Sequence, residues 1–220
     1  MCSRTAALTR WHAEESTQDG LIRHPKDSLL WKDFDEKNKD FAKDSRNLKL
    51  VVCADGFNPF RSMNLSYSIW PVLLIPYNFP PWMIMKQSNF ILSLLIPGRN
   101  SPGSDIDVYL EPLVDDMVDM FLDGVRTYDA STREYFQLHA AIICTITDKP
   151  GLGSLVACAS SGEGACPECH SQLCSLRLKN GSKTCYMGHH RFLRAYHPLR
   201  YDTRTFGDIE RGTTPVPLSG

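Results

Sequence analysis

Two aspartates end apolar, β-branched runs and are followed at once by chain breakers. Asp55 closes Leu48-Lys49-Leu50-Val51-Val52-Cys53-Ala54 and precedes Gly56 and Asn58-Pro59. Asp148 closes the run from Tyr135 to Thr147 and precedes Lys149-Pro150-Gly151. A carboxylate at the mouth of a buried strand is costly to desolvate unless a cation, often a metal ion, pairs with it. Brought side by side, two such groups repel, so that one takes up a proton or both bind a divalent cation. With a third acid, such a pair supports two-metal phosphoryl transfer, in which one ion activates water or a 3′-hydroxyl and the other stabilises the leaving oxygen. Taken alone, Asp55 is better explained as a turn-initiating residue; the second strand-ending acid is what raises the other reading.

A second set of chemistry-bearing residues fills Gly162 to Arg200. Cys166-Pro167-Glu168-Cys169 is a C-x2-C knuckle, followed by His170, Cys174, Cys185, His189, His190 and His197. Thiolate and neutral imidazole are the usual zinc ligands, and C-x2-C lets two sulfurs share one tetrahedral ion. The expected ligands are Cys166, Cys169, His189 and His197, with Cys185 and His190 as alternates; a redox pair is the competing explanation of the knuckle. Lys179, Lys183, Arg191, Arg194 and Arg200, with Arg204 and Arg211, form a local basic stripe that could meet phosphates. Ordinary surface solubility explains such a stripe equally well.

The elements that would carry these residues follow from periodicity and breakers. Leu48 to Ala54 reads as a strand. Tyr67 to Tyr77 is aromatic and β-branched but holds Pro71 and Pro76, which predicts an edge or bulged strand. Phe79-Pro80-Pro81-Trp82 reads as a turn, and Phe90 to Ile96 as a strand closed by Pro97-Gly98, so three strands form an antiparallel meander. From Asp105 to Gly124, Leu110, Leu113, Val114, Met117, Met120 and Phe121 recur at helical spacing. Asp115, Asp116, Asp119 and Asp123 lie on the opposite face, read as solvated. Tyr135 to Thr147 is the fourth strand. Upstream, Asp27-Ser28 caps a short helix carrying Leu29, Leu30, Trp31 and Phe34, and the charged run Lys37 to Arg46 reads as loop.

The order strand, strand, strand, helix, strand is that of a ribonuclease H-like core in an α/β (α+β) chain, whose fourth strand lies parallel beside the first. Asp55 and Asp148 would then meet at neighbouring strand ends. The expected organisation is a polar, helical extension over 1–47, a partial ribonuclease H-like core over 48–160, and a Cys/His-rich basic segment over 161–220, the start of an insertion.

Composition sets the outer bounds. The chain has 220 residues, 42% hydrophobic and 22% charged, with formal net charge -1. That is the balance of an ordinary globular protein, without an overall basic field. No apolar run approaches the roughly 20 residues a membrane span needs, and no signal peptide is visible. The eight cysteines therefore read as intracellular thiols or metal ligands more readily than as a disulfide framework.

Several long strings are similar to the transposases of plant CACTA (En/Spm-type) DNA transposons. They are Asp55-Gly56-Phe57-Asn58-Pro59-Phe60, Tyr67-Ser68-Ile69-Trp70-Pro71-Val72, Tyr77-Asn78-Phe79-Pro80-Pro81-Trp82 and Leu95-Ile96-Pro97-Gly98. The likeness continues through Tyr109-Leu110-Glu111-Pro112-Leu113, Cys166-Pro167-Glu168-Cys169 and Tyr186-Met187-Gly188-His189-His190-Arg191-Phe192-Leu193. Upstream it includes Trp11-His12, Arg23-His24-Pro25 and Trp31-Lys32-Asp33-Phe34-Asp35.

The resemblance implies a nuclear protein that cuts and rejoins transposon ends, with Mg2+ or Mn2+ held by three acids, Asp55 and Asp148 being the first two. Transposon-end DNA and full-length transposase are the implied partners, Zn2+ a structural cofactor. The family pattern His-Arg-Arg is replaced here by His189-His190-Arg191. Glu163, Glu168, Asp202, Asp208 and Glu210 are the late acids, and none follows a further strand-helix unit. The expectation is therefore a chain short of its third acid. A non-catalytic DNA- or transposase-binding module and an inert transposon fragment are the alternatives.

Overall fold

The computed structural model describes residues 2–15, 19–60, 67–156, 158–159, 161–167, 169 and 172–216. Glu168 and His170 lie outside them. The chain divides into two compact units, Met1–Asp148 and Lys149–Gly220.

The first unit is a mixed α/β structure around a four-stranded sheet. In chain order it contains α1 (Ser3–Leu8), α2 (Trp11–Glu14), α3 (Leu29–Lys37), α4 (Lys39–Ala42), β1 (Leu48–Ala54), β2 (Ser68–Pro76) and α5 (Pro81–Ile84). It continues with β3 (Ile91–Gly98), α6 (Ile106–Leu122), β4 (Val125–Asp129), β5 (Glu134–Leu138) and β6 (Ala140–Ile146). The sheet order is β3-β2-β1-β6. β1 runs antiparallel to β2 and parallel to β6, and β2 runs antiparallel to β3. A parallel pair requires a long crossover, and α6 with the β4–β5 hairpin supplies it.

Alternation builds the core. Leu50, Val52 and Ala54 share a face of β1 with Trp70, Val72 and Leu74 of β2, and all six are buried. α6 packs against β6 and β3 and turns Ile106 and Leu113 inward. Its four predicted solvated aspartates are exposed. The opposite sheet face holds a cluster of Ile75, Phe79 and Ile84 with Leu8, Cys53, Met83 and Phe90.

Four local expectations change. β2 is bulged between Val72 and Leu73 but is interior, not an edge. It tolerates its prolines because pairing with β1 begins at Val72 and ends at Pro76, so both sit at the limits of that ladder. The predicted strand Tyr135 to Thr147 is two strands, broken at His139, whose backbone N–H donates to Asn47 Oδ1 at 2.9 Å. Its first half pairs with β4 as a separate hairpin. The run Lys37 to Arg46 contains α4, because Phe41 is buried against Phe34 and Phe121, with ring centroids 5.3 and 5.7 Å away. Pro81 starts α5 rather than prolonging a turn, proline being suited to a first helical position.

The segment before β1 is tied into the sheet by buried polar groups. Ser28 caps α3, accepting from Trp31 N at 3.2 Å. Fully buried Asn78 accepts from Lys49 N at 2.7 Å and donates to Asn47 O at 2.8 Å. Lys49 Nζ lies 2.7 Å from Asp35 Oδ1 and 4.1 Å over the Trp31 ring.

The second unit contains α7 (Lys149–Leu155), a hairpin of β7 (Ser175–Arg177) and β8 (Thr184–Tyr186), and α8 (Thr203–Phe206). Lys149-Pro150-Gly151 therefore opens a helix rather than breaking the chain, again with proline in its first turn.

Candidate functional site

Asp55 and Asp148 follow the C-terminal ends of two adjacent parallel strands. The register pairs Val51 with Cys144, Val52 with Thr145 and Cys53 with Ile146. Two residues further along each strand come Asp55 and Asp148. Thr147 holds this end together, its Oγ1 donating to Ala54 O at 2.8 Å. Both aspartates are exposed. A hydrated carboxylate does not carry the desolvation cost expected of a strand-end acid.

Asp55 is shaped from behind by residues that periodicity did not single out. Gly56 lies against the buried Trp70 indole; a Cβ there would meet Trp70 Cε2 and Nε1 at 2.4 Å. Trp70 is held in turn by its Nε1, which donates to Ser68 Oγ at 2.8 Å. Phe57 and Ile69 exchange backbone hydrogen bonds at 3.0 and 2.9 Å. The Asp55-Gly56 step is thus clamped between β1 and β2, and glycine is the residue type that permits the approach.

In the second unit, Cys166, Cys169 and His189 line one cavity of about 290 Å3, together with Lys149, Tyr186 and Arg191. His197 is outside that lining, and its Nδ1 accepts from Leu199 N at 3.2 Å. Cys185 sits in β8 opposite Leu176, and His190 packs on Phe206 with centroids 4.0 Å apart. Cys169 is buried, and burial pushes its thiol pKa up, as does a hydrogen bond with Cys166. Arg191 opposes this, donating from Nη2 to Cys169 Sγ at 3.3 Å and from Nη1 to Cys174 Sγ at 3.6 Å. Among the described residues, no group of three or more His, Cys, Asp or Glu is assembled closely enough to hold a metal ion.

The basic set separates into two kinds. Arg191 and Arg200 are buried. Arg191 Nη1 also donates to Gln172 O at 2.8 Å, and Arg200 donates to the carbonyls of Arg191, Leu193, Glu210 and Gly212. These donors are committed inside the unit and organise its irregular backbone. Lys179, Lys183 and Arg194 are exposed, the two lysines in the turn joining β7 to β8. With Arg204 and Arg211, also exposed, they are the members of the stripe open to an external phosphate.

The model of transposase family tnp2 matches residues 19–220. The chain belongs to that transposase family. Searches against curated proteins and against solved structures give no match. Membership of a transposase family makes DNA the expected partner of this chain. Among the described residues, no helix is long and apolar enough to cross a membrane.

Proposed function

We propose that this tnp2-family chain carries part of a ribonuclease H-like catalytic domain of a CACTA (En/Spm-type) plant transposase, acting in the nucleus on transposon-end DNA. The reading rests on one observation: two adjacent parallel strands, β1 and β6, are followed at matched positions by Asp55 and Asp148. Carboxylate oxygens exposed to water are the hard donors that Mg2+ or Mn2+ takes, so the pair fits two positions of a divalent-metal site. A metal bound there supplies Lewis acidity to the phosphoryl group. The protein's part is to hold the two carboxylates side by side, through the Thr147 clasp and the Gly56–Trp70 contact, and to present them to a DNA strand.

Cleavage of transposon-end DNA with Mg2+ or Mn2+ tests this reading, comparing the wild type with Asp55→Ala and Asp148→Ala. Loss of cutting in both variants is expected. Equal activity in all three would sink the assignment. For a chain that does not cut unaided, Mn2+ binding followed by electron paramagnetic resonance replaces the cleavage readout, and both substitutions should weaken it.

A second reading, a zinc-stabilised DNA- or transposase-binding module, draws on the three donors around the cavity of the second unit. Cys166, Cys169 and His189 are ligand types that zinc accepts. Filling that site requires the three donors to draw closer together, Arg191 to leave the Cys169 sulfur, and a fourth ligand other than His197. DNA binding that survives Asp55→Ala but is lost on chelation would favour this module.

A further inference from the structure

The β4–β5 hairpin has two unlike faces. The register pairs Tyr128 with Tyr135, Arg126 with Gln137 and Thr127 with Phe136. Thr127, Asp129 and Phe136 share the inner face. Buried Asp129 takes Arg10 Nη1 at 3.0 Å, and the Arg46 guanidinium covers Phe136 at 3.9 Å. The outer face carries Arg126, Tyr128, Tyr135 and Gln137, all exposed. Its two tyrosine rings are directly opposed, with centroids 5.2 Å apart and planes at 57°. The Arg126 guanidinium extends the ladder, 4.4 Å over Tyr135. Gln137 reaches back to Asp123 O at 2.7 Å. No carboxylate shares this face, and Arg126 makes no ion pair among the described residues.

We propose that the outer face of the β4–β5 hairpin, the Arg126–Tyr135–Tyr128 ladder, is a stacking platform for unpaired DNA bases. Aromatic rings offer every base a π-face, and a neighbouring cation meets the linking phosphate. A cross-strand tyrosine pair also stabilises a hairpin by itself. That role does not need both rings left 51% and 63% exposed, nor a face cleared of acids. A second copy of the chain is a poorer occupant, since a two-fold contact through this face would bring Arg126 towards its equivalent. The hairpin leads into the N-terminal end of β6, and from Ala140 to Asp148 the chain spans about 26 Å at 3.3 Å per residue. The platform therefore grips a strand away from the reacting phosphate. The proposal rests on family membership for DNA as the ligand, but not on catalysis by Asp55 and Asp148.

The test is fluorescence anisotropy of the full chain in EDTA, with a labelled oligothymidylate and with a duplex of equal length. Tyr128→Val and Tyr135→Val keep strand propensity without a π-face; Tyr→Phe at each position keeps the ring. Each valine variant should weaken single-strand binding about 5- to 150-fold, with phenylalanine close to wild type and duplex affinity little changed. Arg126→Gln should weaken binding and make it less salt-dependent, by about one in the log–log slope. Unchanged single-strand affinity in the valine variants would overturn the proposal, as would equal losses on the duplex. A change confined to oligomeric state would assign the face to a second copy instead. Because EDTA removes divalent metal, single-strand binding that persists where the cleavage assay fails would retire the catalytic reading alone.

Discussion

Thr147 Oγ1 donates to Ala54 O at 2.8 Å, one residue before both Asp55 and Asp148. This side chain-to-backbone bond continues the parallel pairing past the last ladder residues, Cys53 and Ile146. It couples the two strand ends at the point where their acids emerge. Thr147→Val keeps the shape and removes the donor. It should cost about 0.5–1.5 kcal/mol of stability, the net worth of one such bond. A urea midpoint measured at unchanged m-value checks this. Metal or DNA-cleavage activity should fall by more than the stability loss explains, since the pair's spacing is what the bond holds.

Gly56→Ala should be destructive out of proportion to one methyl group. The new Cβ would meet the buried Trp70 indole at 2.4 Å, and overpacking typically costs about 1–3 kcal/mol. In a Trp70→Phe background the colliding indole atoms are gone, so the added cost of Gly56→Ala should shrink. A double-mutant cycle on unfolding free energy measures that coupling. Additive effects would remove the indole as the reason for glycine.

The Lys49–Asp35 pair predicts an order of damage. Lys49 is 4% exposed and Asp35 32%, so the lysine depends on the pair more than the carboxylate does. Asp35→Asn strands a buried ammonium and should cost about 3 kcal/mol or more. Lys49→Met leaves a carboxylate that water still reaches and should cost less. Burial already holds the Lys49 pKa below the ordinary lysine value, with Asp35 opposing. The folded state of Asp35→Asn therefore binds fewer protons than its unfolded state, and its stability should recover as pH rises towards 10.5. Parallel pH profiles for wild type and variant would contradict this.

His12 predicts an acid limb. Burial first, and then the Lys49 charge, lower its pKa from 6.5 to about 4. Between those values the unfolded chain holds a proton that the folded chain does not, so stability falls as pH drops from 6.5 to about 4. His12→Phe should flatten that limb in a chemical-denaturation series, leaving the carboxylate contribution at lower pH.

Arg191→Met removes the guanidinium from Cys169 and Cys174. Cys169 is 6% exposed in the intact unit and should react slowly with a thiol reagent. The variant should label it faster, without a matching change at exposed Cys2. Equal labelling rates would show that the thiol is shielded by other packing.

The sequence by itself determined β1, β2 and β3 and the two acids that end apolar runs, whereas β4, β7 and β8 were not read from it. Leu48–Ala54 is a short apolar run with β-branched Val51 and Val52, and Asp55-Gly56 ends it, so local propensity and breaker chemistry agree there. α6 was equally legible, because Leu110, Leu113, Val114, Met117, Met120 and Phe121 repeat at helical spacing and the aspartates face water, although of these Leu113 alone is buried and Val114 is exposed. What the sequence misjudged lay where a distant partner decides. Phe41 makes a helix of a charged run by finding Phe34 and Phe121, and Asn47 splits a continuous apolar run by taking the His139 N–H. Arg191 and Arg200 look like phosphate ligands in a basic stripe. Only the tertiary structure turns them inward onto carbonyls and sulfur, because the irregular second unit has backbone acceptors that little regular secondary structure satisfies. Spacing named Asp55 and Asp148 as strand ends, and the order of elements anticipated that their strands are parallel neighbours; the residue-by-residue register that matches the two positions came only from β1–β6 pairing, a contact between residues far apart in the chain.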